Sequence, residues 1–348
     1  MVLLNDRKWK EFFVGDIANI ESGSNISSDA REKGKIPYIT ASFNNNGVTD
    51  FISNRESVDR NFISVNSNGS IGYSFYHKYK SICSNDCRKL NLKTSNNEYV
   101  SLFITNQISC QRDKYNYGYK MGTKRLQRQY IMLPVTDEGE PDWNFMENYI
   151  KQIETKQKEN YKDFAIQKLK NLEYKEIPKL NEKTWKASEI ENFFKIYTGG
   201  DMIISKLNPG NIPLITHSLS ENGVTKYIEE QGSNIKKFNC NMTISLADRG
   251  NFGAFVQMID FYIGTRVKAL EFKICDISIN KEILMFFSNC INAQATKFNY
   301  GNNCCANIGK LKIMLPIKQD ETPDYEYMEQ YIKNVMYKQL HTYLKTRG

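Results

Sequence analysis

Histidine is nearly missing from this chain: His77, His217 and His341 are the only three in 348 residues. Imidazole-based general acid–base chemistry therefore has few candidates. Eight cysteines occur, but no paired CxxC sets; Cys83 and Cys87 have three residues between them, and Cys304 and Cys305 are adjacent. This spacing argues against structural zinc and against a disulfide framework. Free thiols in a reducing cytosol are the expectation, with Cys83 and Cys87 in a core. No run of about 18 apolar residues exists, and the opening MVLLNDRKWKEFF has no apolar signal core, so the chain is expected to be soluble, cytoplasmic and free of membranes. Catalytic signatures are missing too. YTGGDMII holds two glycines but no Lys-Ser/Thr follows, and neither GxSxG nor HExxH occurs. There is no Asn/Asp-Pro-Pro-Tyr/Phe run to orient a target amine, and no Gly-rich cofactor loop near a first strand.

What is present is globular. Hydrophobic residues make up 40% and charged residues 25%, and the length suffices for two domains. Lysine and arginine total 47 against 39 acids, a net charge of +8, which permits a polyanionic partner without requiring one. The 21 tyrosines and 19 phenylalanines read first as core and second as base-stacking groups.

Self-similarity organises the rest. Trp9-Lys10 matches Trp185-Lys186, at 185 − 9 = 176 residues. Ile36-Pro37-Tyr38-Ile39-Thr40 matches Ile212-Pro213-Leu214-Ile215-Thr216 at that offset, as does Asn46-Gly47-Val48-Thr49 with Asn222-Gly223-Val224-Thr225. Gly69-Ser70-Ile71-Gly72 matches Gly250-Asn251-Phe252-Gly253 at 250 − 69 = 181. Asn116-Tyr117-Gly118 matches Asn299-Tyr300-Gly301, and Leu133-Pro134-Val135 matches Leu315-Pro316-Ile317. Pro141-Asp142-Trp143 and Met146-Glu147 match Pro323-Asp324-Tyr325 and Met328-Glu329. Ordered anchors with so little drift mark a tandem duplication of a unit of about 170 residues.

Each unit opens with short β-rich runs punctuated by Gly, Asn and Ser, such as FFVGDIANI, IPYITAS and NFISVNS. A short helix follows, around Glu98–Gln111 and Lys281–Gln294, and then a strand ending at Pro134 or Pro316. Pro141-Asp142 and Thr322-Pro323-Asp324 read as helix starts, with proline at the first helical position and Thr322 as a cap. Met146, Ile150 and Ile153, and likewise Met328, Ile332 and Val335, recur at steps of four and three. The stripe suits a helix packed on its own domain, or two helices pairing as a coiled coil. One nuclease-like spacing exists: Asp260 precedes Glu271-Phe272-Lys273, as in sites that hold Mg²⁺ with two carboxylates and a lysine. The other copy has Asn91-Leu92-Lys93, without the acid.

The near-start Trp-Lys, GDIANIESGSNIS, GKIPYITASFNNNGV, the mid-domain Gly-Ser-Ile-Gly, LPV and the long helix, all occurring twice, resemble the DNA-specificity (S) subunits of type I restriction–modification systems. PDWNFMENYIK and IPYITASFNNNGV resemble more closely the S subunits that partner a fused restriction–methylation polypeptide. The resemblance implies a mixed α/β fold with two target-recognition domains, each followed by a long helix, the helices pairing as an antiparallel coiled coil. The implied layout is residues 1–140 for the first domain, 141–177 for helix and linker, 178–322 for the second domain and 323–348 for the last helix. It implies a non-catalytic subunit that reads a split, asymmetric duplex site and docks methyltransferase subunits, two per chain, or a fused polypeptide. S-adenosylmethionine and Mg²⁺ would sit on those partners, not on this chain. Partner contacts are expected from Met146, Ile150, Ile153, Met328, Ile332 and Val335.

Base readers are expected on loops bearing amide, hydroxyl, guanidinium or ammonium groups. In the first copy these are Ser24, Asn25, Lys35, Ser42, Asn44, Asn45, Asn68, Ser70, Tyr73, Tyr117 and Lys120. In the second they are Asp201, Lys206, His217, Ser218, Asp248, Arg249, Asn251, Arg266, Asn302 and Asn303. Two other readings stay open: a Mg²⁺-dependent nuclease using Asp260, Glu271 and Lys273, and a duplicated protein scaffold that binds no DNA.

Overall fold

The Asn-Gly words that mark the repeat are built the same way in both copies. Asn45, Asn46 and Gly47 all take positive φ (50°, 53° and 77°), and so do Glu221, Asn222 and Gly223 (50°, 52° and 84°). Only glycine takes the third position without strain, and the turn returns the chain as a strand. The computed structural model describes residues 3–54, 57–94, 97–248, 251–273, 278–298 and 307–347. Two units, Met1–Tyr161 and Lys162–Gly348, divide within one long helix.

The first unit has strands β1 (Lys8–Phe13), β2 (Ala18–Ser22), β3 (Lys33–Ile39), β4 (Val48–Ile52), β5 (Val58–Asp59), β6 (Phe62–Asn66), β7 (Ser74–His77), β8 (Ser81–Cys83), β9 (Cys87–Leu92) and β10 (Tyr130–Val135). Its helices are α1 (Val14–Ile17), α2 (Glu98–Ser109), α3 (Thr123–Gln127) and the start of α4 (Trp143–Lys170). Within FFVGDIANI, read as β-rich, two strands flank a helical turn at Val14–Ile17, where the Val14 N–H bonds the Gln129 carbonyl. Strands order as β2-β9-β6-β7, β4-β3-β8-β5 and the pair β1-β10.

The second unit repeats this plan with β11 (Trp185–Glu189), β12 (Phe194–Thr198), β13 (Pro209–Ile215), β14 (Val224–Ile228), β15 (Thr243–Ala247), β16 (Gly253–Val256), β17 (Tyr262–Ile263), β18 (Val267–Phe272), β19 (Lys312–Pro316), α5 (Lys281–Asn292) and α6 (Tyr325–Arg347). Its sheets order as β12-β18-β15-β16, β14-β13-β17 and β11-β19. Even the irregularities repeat: register shifts fall at Lys33/Ile36 and Tyr38/Ile39, and at Pro209/Ile212 and Leu214/Ile215. Bulges re-aim the residues beside them, and here they precede the loop that follows β3 or β13.

Each unit has its own core. In the first, Ile63, Val65, Leu90, Phe103, Ile104 and Ile131 are buried together; in the second, Ile244, Leu246, Leu270, Phe287, Ile291 and Ile313 are. Asn97 and Asn280 cap α2 and α5 by accepting backbone N–H bonds. Cys83 and Cys87 are buried free thiols, as expected.

The long helices start two residues later than read from the prolines, at Trp143 and Tyr325. Asp142 caps α4, accepting from the Phe145 N–H at 2.9 Å, and Asp324 caps α6, accepting from Tyr327 at 3.1 Å. Pro141 and Pro323 stand outside, held by bridges to Val135 and Ile317, and Thr322 bonds Asp320 instead of the helix. Met146, Met328 and Ile332 are buried in the core of their own unit, and Ile150 packs on the first core. An apolar stripe goes to the nearest apolar surface, so these positions anchor each helix to its domain. Ile153 and Val335 are half-buried. Within the second unit, Ala165 and Leu172 pack on Leu340, with Leu169, Met336 and Leu344 around them. Asn334 fixes the segment after α4 by bonding both the N–H and the carbonyl of Lys175, at 3.1 and 2.6 Å.

Candidate nucleic-acid interface

In the first unit, three loops meet around the Asn-Gly turn. The Ser70 N–H donates to the Ala41 carbonyl at 3.1 Å, and Asn66 Nδ2 donates to the Ser42 carbonyl at 3.0 Å. Ser42 Oγ accepts from the Asn44 N–H at 3.1 Å, holding that loop in a tight polar turn. Asn68 bonds Asp86 at 3.0 Å. Tyr73 lies 5.8 Å from Phe43 by ring centroids, and the Arg112 guanidinium lies 4.7 Å over Tyr73. Ser42, Asn44, Asn45, Asn68, Ser70 and Tyr73 are therefore brought together. Phe43 and Arg112 join them and were not foreseen. Nothing local signals that pairing, since Tyr73 and Arg112 are 112 − 73 = 39 residues apart.

Arg112 also leads into the loop that carries Tyr117, which is 79% exposed, with Lys120 Nζ 4.6 Å from its ring. Asn116 Oδ1 accepts from the Gly118 and Tyr119 N–H groups, so this is a side-chain-closed turn. Ser24 reaches the cluster from another side. It bridges Ser84, whose N–H bonds the Ile39 carbonyl at 2.8 Å, and Asn25 beside it is exposed. The approach demands Gly23: a Cβ there would meet the Ser84 oxygen at 2.2 Å. Lys35 lies outside the cluster. It sits four residues before Ile39 in β3, about 13 Å along a strand.

The second unit repeats the joint with different chemistry. Where Ser70 gives a backbone N–H to Ala41, Asn251 gives its side-chain amide to the His217 carbonyl at 3.0 Å. Ser218 Oγ accepts from the Ser220 N–H, and Phe252 stacks on Phe298 at 4.7 Å. Gln257 Nε2 braces the turn by donating to the Asn222 carbonyl at 2.9 Å. Asp201 accepts from Thr265 at 2.9 Å beside exposed Arg266, whose φ is 63°. Gly199 is pressed on the Gly264 carbonyl as Gly23 is on Ser84.

Two expected readers are misplaced. Asp248 is 3% exposed, its carboxylate 3.8 Å from Lys268, because it ends a buried strand and turns inward. Lys206 precedes β13, at the end away from His217, and Lys35 lies near the corresponding end of β3. Arg249, Asn302 and Asn303 lie outside the described residues.

The nuclease-like set does not converge. Asp260 accepts from the Cys240 N–H at 2.9 Å, Glu271 pairs with Lys236 at 2.7 Å, and Lys273 donates to the Glu191 carbonyl. The Lys236 ammonium holds the Glu271 carboxyl below the usual range against the opposing effect of burial. Among the described residues, no group of three or more His, Cys, Asp or Glu is placed to hold a metal ion. Nor is any helix among them long and apolar enough to cross a membrane.

Known proteins agree with the duplication. The family model described as the type I restriction modification DNA specificity domain matches twice, over residues 6–162 and 182–344. A curated relative, the type II restriction enzyme BgcI specificity subunit S.BcgI of Heyndrickxia coagulans, is 41% identical over 155 residues; the match spans 44% of this chain and 46% of that protein, about half of each. Among solved structures, the type I restriction–modification S subunit of M. genitalium aligns over 99% of this chain and 93% of its own at 15% identity and TM-score 0.48. The HsdS subunit of Thermoanaerobacter tengcongensis aligns over 98% and 92% at 13% identity and TM-score 0.34. With both of its units matched by one family model, the chain belongs to the type I restriction modification DNA specificity domain family.

Proposed function

We propose that the chain is the DNA-specificity subunit of a restriction–modification complex, and that each unit reads one half of a split, asymmetric duplex site. The observation that carries this is the repeated loop joint: one scaffold holds Ala41–Ser70 in one unit and His217–Asn251 in the other. A repeated frame with different side chains at its tips suits two readers of different sequences. Amides, hydroxyls and Arg112 match groove donors and acceptors, and Tyr117 and Phe43 offer exposed rings for sugar or base contact. The chain itself would supply no chemistry. S-adenosylmethionine and Mg²⁺ belong on the methyltransferase subunits, two per chain, or on a fused restriction–methylation polypeptide.

In this reading α4 and α6 pair as an antiparallel coiled coil and set the distance between half-sites. The packing of Ala165 and Leu172 on Leu340 supports that pairing. The 23 residues of α6 span about 35 Å. That is on the order of one duplex turn, so half-sites should be centred about ten base pairs apart. Mapping modified bases in the host genome tests this: two short, different half-sites around a fixed spacer are expected. A single continuous site would overturn it. Salt-dependent binding of the complex to a duplex carrying that site, weaker on a scrambled one, would exclude a scaffold that binds no DNA.

A further inference from the structure

The second unit carries an open, largely apolar groove of about 380 Å³ between α5, α6 and β19. Its frame is aromatic: Trp185 stacks on Phe286 at 6.3 Å, and Phe286 meets Tyr331 edge-on at 5.8 Å. The first unit builds the same frame from the matching residues. Trp9 stacks on Phe103 at 6.1 Å, and Phe103 meets Tyr149 edge-on at 6.2 Å. Each tryptophan donates its indole N–H to the carbonyl of a leucine five residues before it, Leu4 at 2.9 Å and Leu180 at 2.8 Å.

The groove's exposed rim repeats as well. Met132 and Met314 are 38% and 46% exposed on the outer faces of β10 and β19, and Leu4 and Leu180 are 38% and 40% exposed. Exposed amides stand at equal places on the short helices, Asn106 and Asn289. Gln111 and Gln294 match one turn on, and Ile150 and Ile332 match at the floor. Eight of the ten positions are therefore identical; only Gln107/Cys290 and Cys110/Ala293 differ. By contrast, across the loop Ala41–Asn45 against His217–Glu221 only the serine is shared. Residues that need not be apolar for the fold, and that face solvent, have stayed the same where the reading loops have not.

We propose that this groove, with the matching aromatic frame of the first unit, is a docking site for an apolar anchor of the modification polypeptide, one copy bound at each unit. The inference rests on the function proposed above and adds the surface. Its charge pattern selects the occupant. Three cations beside the groove are paired: Lys186 with Glu321 at 2.6 Å, Lys183 with Asp324 at 2.8 Å and Lys333 with Glu329. In the first unit Arg7 pairs with Asp142 at 2.9 Å and Lys151 with Glu147. A largely apolar lining rimmed by amides complements apolar side chains and the peptide groups beside them better than it does a polyanion. Valence points the same way. A chain that paired with its own copy through two such grooves would tend to propagate, whereas a separate polypeptide bound once at each stops at two per chain.

The test is native mass spectrometry of the full chain co-purified with the modification polypeptide encoded beside it. The wild-type complex should hold two copies per chain. Met132→Glu or Met314→Glu should leave one copy, and the double variant none, with affinity per groove lowered about 30-fold or more. The strand-face methionines are exposed, so the variants should fold; Asn106→Lys and Asn289→Lys give the same readout from the helices. A double variant that keeps two copies overturns the groove, and so does a wild-type chain that dimerises alone through Met314. A split modified site with intact docking in every variant would refute the groove and leave the reading function standing. A wild-type chain with no complex would refute both.

Discussion

His77 is closed off between two hydroxyls: Ser64 Oγ lies 2.8 Å from Nε2 and Tyr79 OH 3.1 Å from Nδ1. Burial lowers its pKa from 6.5 to about 4. The ring is neutral in the folded unit, and the unfolded chain takes up the proton first as pH falls. The contribution to stability is therefore complete above about pH 6.5 and is lost as pH drops towards 4. Between pH 7.5 and 5 the loss should be about 2 kcal/mol, and His77→Gln should flatten that part of a urea-denaturation series. Individual residues were legible in the sequence when their role was a backbone one. Gly47 and Gly223 could be read as turn residues, because positive φ has a local signature. Arg112 over Tyr73 could not, because it depends on how a helix end meets a hairpin. Asp248 looked like a surface reader for the same reason in reverse: the chain path that buries it is not written in its neighbours.

At the level of elements, the long helices were legible in length and periodicity, but not in what their stripe touches. Met146 sits in the first core and Met328 in the second, so each helix is rooted in its domain. Met146→Ala should cost about 2–5 kcal/mol of stability in chemical denaturation, since it opens a cavity in a filled core. Lys156→Ala, on the exposed side of α4, should cost less than about 0.5 kcal/mol. The cap residues follow the same lesson. Proline was the visible signal, yet Asp142 and Asp324 do the capping, and each also holds a cation, Arg7 or Lys183, from the strand entry. One carboxylate thus satisfies the first helical turn and ties it to the start of the domain.

For the whole molecule, the duplication was the most legible feature, because words at one offset need no structural knowledge to be seen. Its consequence for the site is exchangeability of loops on a common frame. Replacing His217-Ser218-Leu219-Ser220-Glu221 with Ala-Ser-Phe-Asn-Asn should change the second half of the modified sequence and leave the first half and the spacer alone. Mapping modified bases in cells carrying that variant checks it; a change in both halves would mean that the units do not read separately. What was not legible was the repeated aromatic frame and its exposed rim, since Trp9, Met132 and their partners passed as scaffold until their exposure was known.

The two loop joints also differ in how they can be inherited. In the first unit the donor is the backbone N–H of Ser70, which every residue but proline supplies. In the second it is the side chain of Asn251, which a single base change can remove. Under mutation the first loop keeps its posture while its tips vary, whereas the second can lose its posture in one step. Half-sites read by such a chain would drift at unequal rates, the second ahead of the first.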